Sequence, residues 1–123
     1  MAALAAQNAS SEENKKLFDI LVDMETDCDR HSLMSHSFRF HQAVAKFSHN
    51  EVLYGLYQSV AWQLRGLHSP DGFTLEMFLE GIGEHRAIAE AIRKKDGTLA
   101  KALMRSHLRN DYAQYLENHD LLE

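Results

Sequence analysis

Residues 81–93 read Gly-Ile-Gly-Glu-His-Arg-Ala-Ile-Ala-Glu-Ala-Ile-Arg and carry the clearest folding signal in this chain of 123 residues. Apolar side chains recur there at Ile82, Ile88 and Ile92, with the period of a helix that buries one face. His85 occupies a position in the same stripe. The stretch therefore predicts an amphipathic helix that presents one imidazole to the interior of the fold.

Apolar residues recur with the same period along most of the chain and divide it into helical segments. Residues 1–9 form an Ala-rich start. Five helices are predicted after it, at about Ser10 to Asp27, His31 to Ser48, Glu51 to Leu67, Thr74 to Lys94, and from Asp96 onward. The fourth of these is expected to be interrupted near Gly81 and Gly83. The strongest break between them is Ser69-Pro70-Asp71-Gly72. No stretch alternates with the period of a strand, so we predict an all-α, antiparallel bundle of five to six helices that forms one domain over residues 1–123.

Each predicted helix has an apolar face that should point into the bundle. The expected inner residues are Leu17, Ile20, Leu21, Met24 and Cys28; Leu33, Ser37, Phe40, His41 and Val44; Leu53, Leu56, Tyr57, Val60, Ala61 and Leu64; Ile82, His85, Ile88, Ala89 and Ile92; and Leu99, Leu103, His107, Leu108, Tyr112 and Tyr115. Histidine stands at an inner position on three of these helices.

The three inner histidines, His41, His85 and His107, are the candidate functional residues. Neutral imidazole is a common ligand for zinc and also suits nickel, copper and iron, so the cluster could hold a divalent transition metal with positions left open for a ligand or water. Each residue could equally be an ordinary helix histidine, and the period alone leaves both interpretations open. No His-Glu-x-x-His helix or Gly-rich phosphate loop is present, so the best-known signature of a hydrolytic metalloenzyme is missing.

Charge and composition exclude several classes of partner. Thirteen Lys and Arg against eighteen Asp and Glu give a formal charge of −5, and the basic residues are scattered, so this surface should not bind DNA unaided. No apolar run approaches the roughly 20 residues of a membrane span. The single cysteine, Cys28, is typical of a reducing compartment. We therefore expect a cytoplasmic protein without a membrane partner.

A set of short motifs is specific in its order and spacing. The motifs are Phe40-His41, Asn50, Glu84-His85-Arg86-Ala87-Ile88, Ala91-Ile92, Asp96, Ala100, Met104 and His107-Leu108. Together they resemble the C-terminal effector-binding domain of FadR-type regulators in the GntR superfamily, over about residues 33–108. Residues 3–27 also fit the end of that family's first helix and its second helix.

This resemblance implies an all-α bundle that senses a small metabolite, often a carboxylate, and that forms a homodimer. In the family, a winged helix-turn-helix that binds operator DNA precedes this domain. We expect the chain to begin partway into the effector-binding domain, with contact to DNA made only through a domain absent from these residues.

The resemblance also implies a ligand set. In many family members an Asp and three His bind a divalent ion, and the histidines carry over to His41, His85 and His107. The Asp position, four residues before His41, holds Ser37, whose neutral hydroxyl is a poor ligand for a divalent cation. Either zinc or nickel binds more weakly here, or the histidines bind the carboxylate of the effector directly, with Ser37 at the edge of the site.

Three functions compete. The leading one is a ligand-sensing and dimerisation domain of a bacterial transcription regulator, which is not an enzyme. The alternative is a small helical metal-binding protein or metalloenzyme that uses the three histidines, although Glu84, as a base, should project about 100° away from His85 around the helix. A purely structural bundle with satisfied core histidines would leave the matched spacing unexplained.

Overall fold

The computed structural model describes residues 1–27, 29–65 and 74–119. It contains six α-helices: α1 (Ala2–Asn8), α2 (Ser11–Thr26), α3 (Arg30–Phe47), α4 (Glu51–Arg65), α5 (Leu75–Arg93) and α6 (Gly97–His119). These ranges contain no strand, which confirms the predicted all-α bundle. The predictions for Cys28, for the turn at residues 69–72 and for the side chains of Leu64, Tyr112 and Tyr115 lie outside what the structure describes.

Polar caps start the helices at the predicted places. Ser10 Oγ accepts a hydrogen bond from the backbone N–H of Glu13, and the Glu13 carboxylate accepts one from the backbone N–H of Ser10. Asp96 caps α6 by accepting from the backbone N–H of Leu99. Each bond satisfies an N–H group that the helix itself leaves unpaired, which fixes where the helix begins.

The helix α5 runs without a break from Leu75 to Arg93, so the predicted interruption near Gly81 and Gly83 is wrong. A glycine inside a helix costs about 1 kcal/mol relative to alanine. That cost is small beside the burial of the α5 stripe, in which Ile88 and Ile92 are fully buried against α2 and α6. Tertiary packing therefore overrides the local preference of the two glycines.

The core lies between α1, α2, α3 and α5, with the start of α6 closing one side. Its buried members include Ala2, Ala5, Ala6, Leu17, Leu21, Met24, Leu33, Phe40, Val44, Ile88, Ile92 and Ala100. The small side chains of α1 allow a close approach to α6, where a Cβ at Gly97 would lie 3.4 Å from the carbonyl oxygen of Ala3. The Ala-rich start is therefore an integral helix of the bundle.

Four residues predicted on inner faces are exposed instead: Leu56, Val60, Leu99 and Leu108. In the described part of the chain α4 packs against α3 alone, so its apolar surface is wider than the contact that covers it. A helical period identifies an apolar face, but it does not say whether a neighbouring helix covers all of that face.

Among residues 1–27, 29–65 and 74–119, no helix combines the length and apolarity that crossing a membrane requires.

Candidate functional site

The three histidines singled out in the sequence meet at one point between α3, α5 and α6. His41 Nε2 lies 3.2 Å from His85 Nε2 and 3.3 Å from His107 Nε2. The ring centroids of His85 and His107 are 4.4 Å apart. The helical period alone could place each imidazole on an inner face, and the packing of the three helices brings their Nε2 atoms together.

Burial favours the neutral form of two of these imidazoles, those of His41 and His85. Desolvation lowers the pKa of His41 to about 3, and the neighbouring His107 adds to the effect. The pKa of His85 is also well below its ordinary value, again mainly because of desolvation, with smaller contributions from His41 and His107. A neutral imidazole offers a nitrogen lone pair, which is the form that binds a metal ion.

Phe40 supports two of the rings. Its own ring is fully buried, and its centroid lies 4.7 Å from that of His85 and 5.8 Å from that of His41. A closely packed core restricts side chains to few rotamers. The Phe40-His41 pair in the sequence therefore joins a core residue to a site residue on consecutive positions of α3.

Glu84 fixes the tautomer of His107. Its Oε1 lies 3.1 Å from His107 Nδ1, and its Oε2 accepts a hydrogen bond from Asn110 Nδ2 at 3.1 Å. Because an ionised carboxylate can only accept, His107 donates from Nδ1, and in the neutral ring Nε2 then carries the lone pair, 3.3 Å from His41 Nε2. Carboxylates hold metal-binding histidines in this way. Because Glu84 directly precedes His85, its side chain points about 100° away from that of His85 around α5. It reaches α6 there and contacts Nδ1 of His107.

Asp111 was missed in the sequence analysis. Its Oδ2 lies 3.4 Å from His107 Nε2, and its carboxylate lies within 4.8 Å of the carboxylate of Glu84. Desolvation raises the pKa of the Asp111 carboxyl and Glu84 raises it further, whereas His107 lowers it; the side chain keeps 41 % of its surface exposed, so solvent screens these effects. The signal that would have revealed it is the four-residue spacing from His107, which puts both side chains on one helix face.

A cavity of about 430 Å³ opens beside the cluster. Ser37 is half-buried and lines this cavity together with the three histidines and Asp111. Most of the remaining described lining is apolar and includes Met24, Leu33, Met34, Ile82 and Met104. Burial raises the pKa of Tyr57, another lining residue, to about 12, so its hydroxyl stays protonated.

The arrangement of the three nitrogens fits a divalent transition metal. Two nitrogens bound to one ion by bonds of about 2.1 Å at an angle of about 100° would lie about 3.2 Å apart, and the observed separations are 3.2 and 3.3 Å. His41 Nε2 has a single in-plane hydrogen or lone pair, so it cannot make well-aligned hydrogen bonds to both neighbours. His41, His85 and His107 would hold such an ion, which would supply a positive charge for an anionic ligand.

The matched residues define the class of protein. Residues 1–110 match the FCD domain family, so the chain belongs to this family of ligand-sensing domains of GntR-type transcriptional regulators, as the sequence motifs indicated. Over 90 residues it is 34 % identical to the Uxu operon transcriptional regulator of Escherichia coli (strain K12), an alignment that covers 68 % of this chain. The match covers 34 % of the length of that relative, so this chain spans about one third of it.

Replacing Glu84 with glutamine is expected to weaken the binding of Zn²⁺ by about 10- to 100-fold, the usual effect of losing a carboxylate behind a metal-binding histidine. The neutral amide cannot favour the Nδ1–H tautomer of His107 as a carboxylate does. Titration calorimetry on chelator-treated protein would measure the change, with Glu80→Gln on the exposed surface of α5 as the matched control. Equal affinities in both variants would show that Glu84 does not orient the ring.

Proposed function

We propose that this chain is the effector-sensing domain of a transcription regulator and that it binds a small carboxylate beside the three histidines. One observation carries this proposal: imidazoles from three helices converge at the wall of a largely apolar cavity. The volume of about 430 Å³ lies in the range of small-molecule sites. Membership of the FCD family supports a regulatory role rather than an enzymatic one.

The chemistry of the lining favours a carboxylate with an apolar body. A carboxylate oxygen can take an open position on an ion held by His41, His85 and His107, or it can accept hydrogen bonds from these rings directly. The apolar side chains of Met34, Ile82 and Met104 suit an aliphatic or aromatic remainder. Hydroxyl groups on a ligand that were buried against these apolar side chains would lose their hydrogen bonds to water, at a cost of about 1–3 kcal/mol each.

The positions of the histidines suggest how a bound effector acts on the fold. A ligand or ion that bridges His41, His85 and His107 ties α3, α5 and α6 together, and it favours whichever packing of these helices brings the nitrogens closest. A DNA-binding domain outside these residues would respond to that packing. The negative charge of this domain agrees with contact to DNA through another domain.

The exposed stripe on α4 supports a homodimer. Val52, Leu56 and Val60 follow one another at four-residue spacing and expose 73 %, 59 % and 52 % of their surfaces. Large contiguous apolar patches mark interaction surfaces, and at its Val60 end this stripe also borders the cavity. We propose that two copies of the domain pair through this face of α4.

The effector proposal is tested by thermal denaturation with and without Ni²⁺. Hexanoate and benzoate are expected to raise the melting temperature of the wild-type domain by several degrees, because a ligand that binds only the folded state stabilises it. Hexanol and benzyl alcohol should raise it far less, and gluconate, with its hydroxyl groups, should rank between the two classes.

His41→Ala should abolish the response to carboxylates, whereas His49→Ala should retain it, because His49 is exposed and pairs with Glu13 away from the cavity. Carboxylates that leave the melting temperature unchanged, or that act equally on His41→Ala, would contradict the proposed site.

A further inference from the structure

Asp111 places a carboxylate at the wall of the cavity, beside the three-histidine cluster and separate from it. It lines the cavity and is half-buried on α6, one turn after His107. The three histidines form one compact group of potential ligand atoms, and Glu84, His107 and Asp111 form another, so only His107 belongs to both groups. Asp111 is therefore a second polar feature of the cavity, with a chemistry opposite to that of the imidazoles.

The negative charge at this end of the cavity exceeds the positive charge. The carboxylates of Glu84 and Asp111 lie within 4.8 Å of each other. Among the side chains that the structure describes, neither carboxylate forms an ion pair with a lysine or an arginine, and their polar contacts are with His107 and, for Glu84, with Asn110. A protonated His107 would balance one of the two negative charges and leave the other. A cationic group on a bound ligand would therefore be attracted to this end of the cavity.

The distance between the two polar features suits groups on neighbouring carbons of a ligand. Asp111 Oδ2 lies 3.4 Å from His107 Nε2, so a carboxylate held at the histidines has Asp111 close beside it. In an α-amino acid the ammonium nitrogen and the carboxylate are attached to the same carbon, which keeps them about 3 Å apart. A ligand with its amino group at the far end of a long chain would carry that group away from Asp111.

We propose that the effector is an α-amino acid with an apolar side chain and that Asp111 binds its ammonium group, while its carboxylate lies at the three histidines. An ammonium group only donates hydrogen bonds and an ionised carboxylate only accepts them, so the pair forms a charge-assisted hydrogen bond. The apolar lining, which includes Met34 and Ile82, receives the side chain. This inference rests on the effector proposal and narrows it from carboxylates in general to one class.

The first test compares ligands that share a six-carbon chain. Hexanoate, 2-hydroxyhexanoate and 2-aminohexanoate differ only at the second carbon, and hexylamine has the amino group without the carboxylate. Titration calorimetry would be performed on the wild-type domain with and without Ni²⁺. In either condition, 2-aminohexanoate is expected to bind at least about tenfold more tightly than hexanoate, the lower end for a hydrogen bond to a charged group. 2-Hydroxyhexanoate should gain less than about threefold, because its hydroxyl carries no charge, and hexylamine should bind more weakly than 2-aminohexanoate.

The second test removes the charge of Asp111 and keeps its shape. Asp111→Asn should bind 2-aminohexanoate and hexanoate with affinities within about threefold of each other. Its affinity for hexanoate should equal or exceed that of the wild type, because a repulsion between carboxylates is lost, and this binding also shows that the variant is folded. Asp19 is exposed on α2 and does not line the cavity, so Asp19→Asn should keep the wild-type preference for the amino acid.

Four results would overturn the assignment, and they differ in what else they overturn. If hexanoate binds and 2-aminohexanoate binds no more tightly, the cavity does not select an ammonium group, and the carboxylate proposal stands. If 2-hydroxyhexanoate binds as tightly as 2-aminohexanoate, Asp111 accepts a hydrogen bond without selecting charge. A preference for the amino acid that persists in Asp111→Asn would mean that another group, such as a bound Ni²⁺, holds the amine. If neither acid binds in either condition, this inference and the effector proposal fail together.

Discussion

Replacing His85 with alanine is expected to weaken the binding of Zn²⁺ or Ni²⁺ by more than about 100-fold, because it removes one of three nitrogen ligands outright and not only a support behind one. His85 Nε2 lies 3.2 Å from His41 Nε2, and the residue is buried, so no solvent-exposed side chain can take its position without repacking. Titration calorimetry after treatment with a chelator would measure the loss.

The matched control for this variant is His36→Ala. His36 lies on α3 outside the cluster, where it contacts Arg39 and Asp27, and it does not line the cavity. It should therefore bind metal like the wild type. Metal affinity that survives in His85→Ala would mean that the observed Nε2 contacts reflect packing alone, and the histidines would then be ordinary core residues.

Replacing Phe40 with alanine is expected to destabilise the domain by about 3–5 kcal/mol, the usual cost of truncating a fully buried phenylalanine. Its side chain is completely buried, and its ring packs against the ring of His85 at a centroid distance of 4.7 Å. A loss of this size is a large part of the roughly 5–15 kcal/mol that keeps a small domain folded. Urea denaturation in the presence of a chelator would isolate the packing effect from any metal effect.

Leu79→Ala provides the comparison for Phe40→Ala. Leu79 is exposed on α5, so its truncation should change the free energy of unfolding by no more than about 0.5 kcal/mol. Under conditions where Phe40→Ala remains folded, it should also bind Zn²⁺ more weakly, because the ring of His85 loses the surface that restricts its rotamer. A cost below about 1 kcal/mol would contradict the tight packing between α3 and α5.

The helices and their caps were accessible from the sequence because both are set by residues close together in the chain. Ser10 and Glu13 are three positions apart, and their reciprocal hydrogen bonds begin α2 where a polar-to-apolar transition predicts a helix start. The same local reasoning failed at Gly81 and Gly83. There the free energy gained by burying α5 against several other helices outweighs the low helix propensity of the two glycines. A local sequence pattern carries no information about those other helices.

The exposed stripe on α4 illustrates a second limit. Leu56 and Val60 have the helical spacing of core residues, and their sequence pattern is indistinguishable from that of Leu17 and Leu21, which are fully buried. What separates the two pairs is the number of helices packed around each. That number depends on how the chain is folded in three dimensions, which a local pattern of apolar residues does not specify.

The sequence by itself determined that His41, His85 and His107 occupy inner faces of three helices, because a period of 3.6 residues fixes the side of a helix on which a residue lies. Only the tertiary structure decided which nitrogens meet, and that Glu84 and Asp111 both contact His107. Glu84 and His107 are 23 positions apart on different helices, and the distance between such residues depends on helix crossing angles and side-chain rotamers, which a linear pattern does not specify.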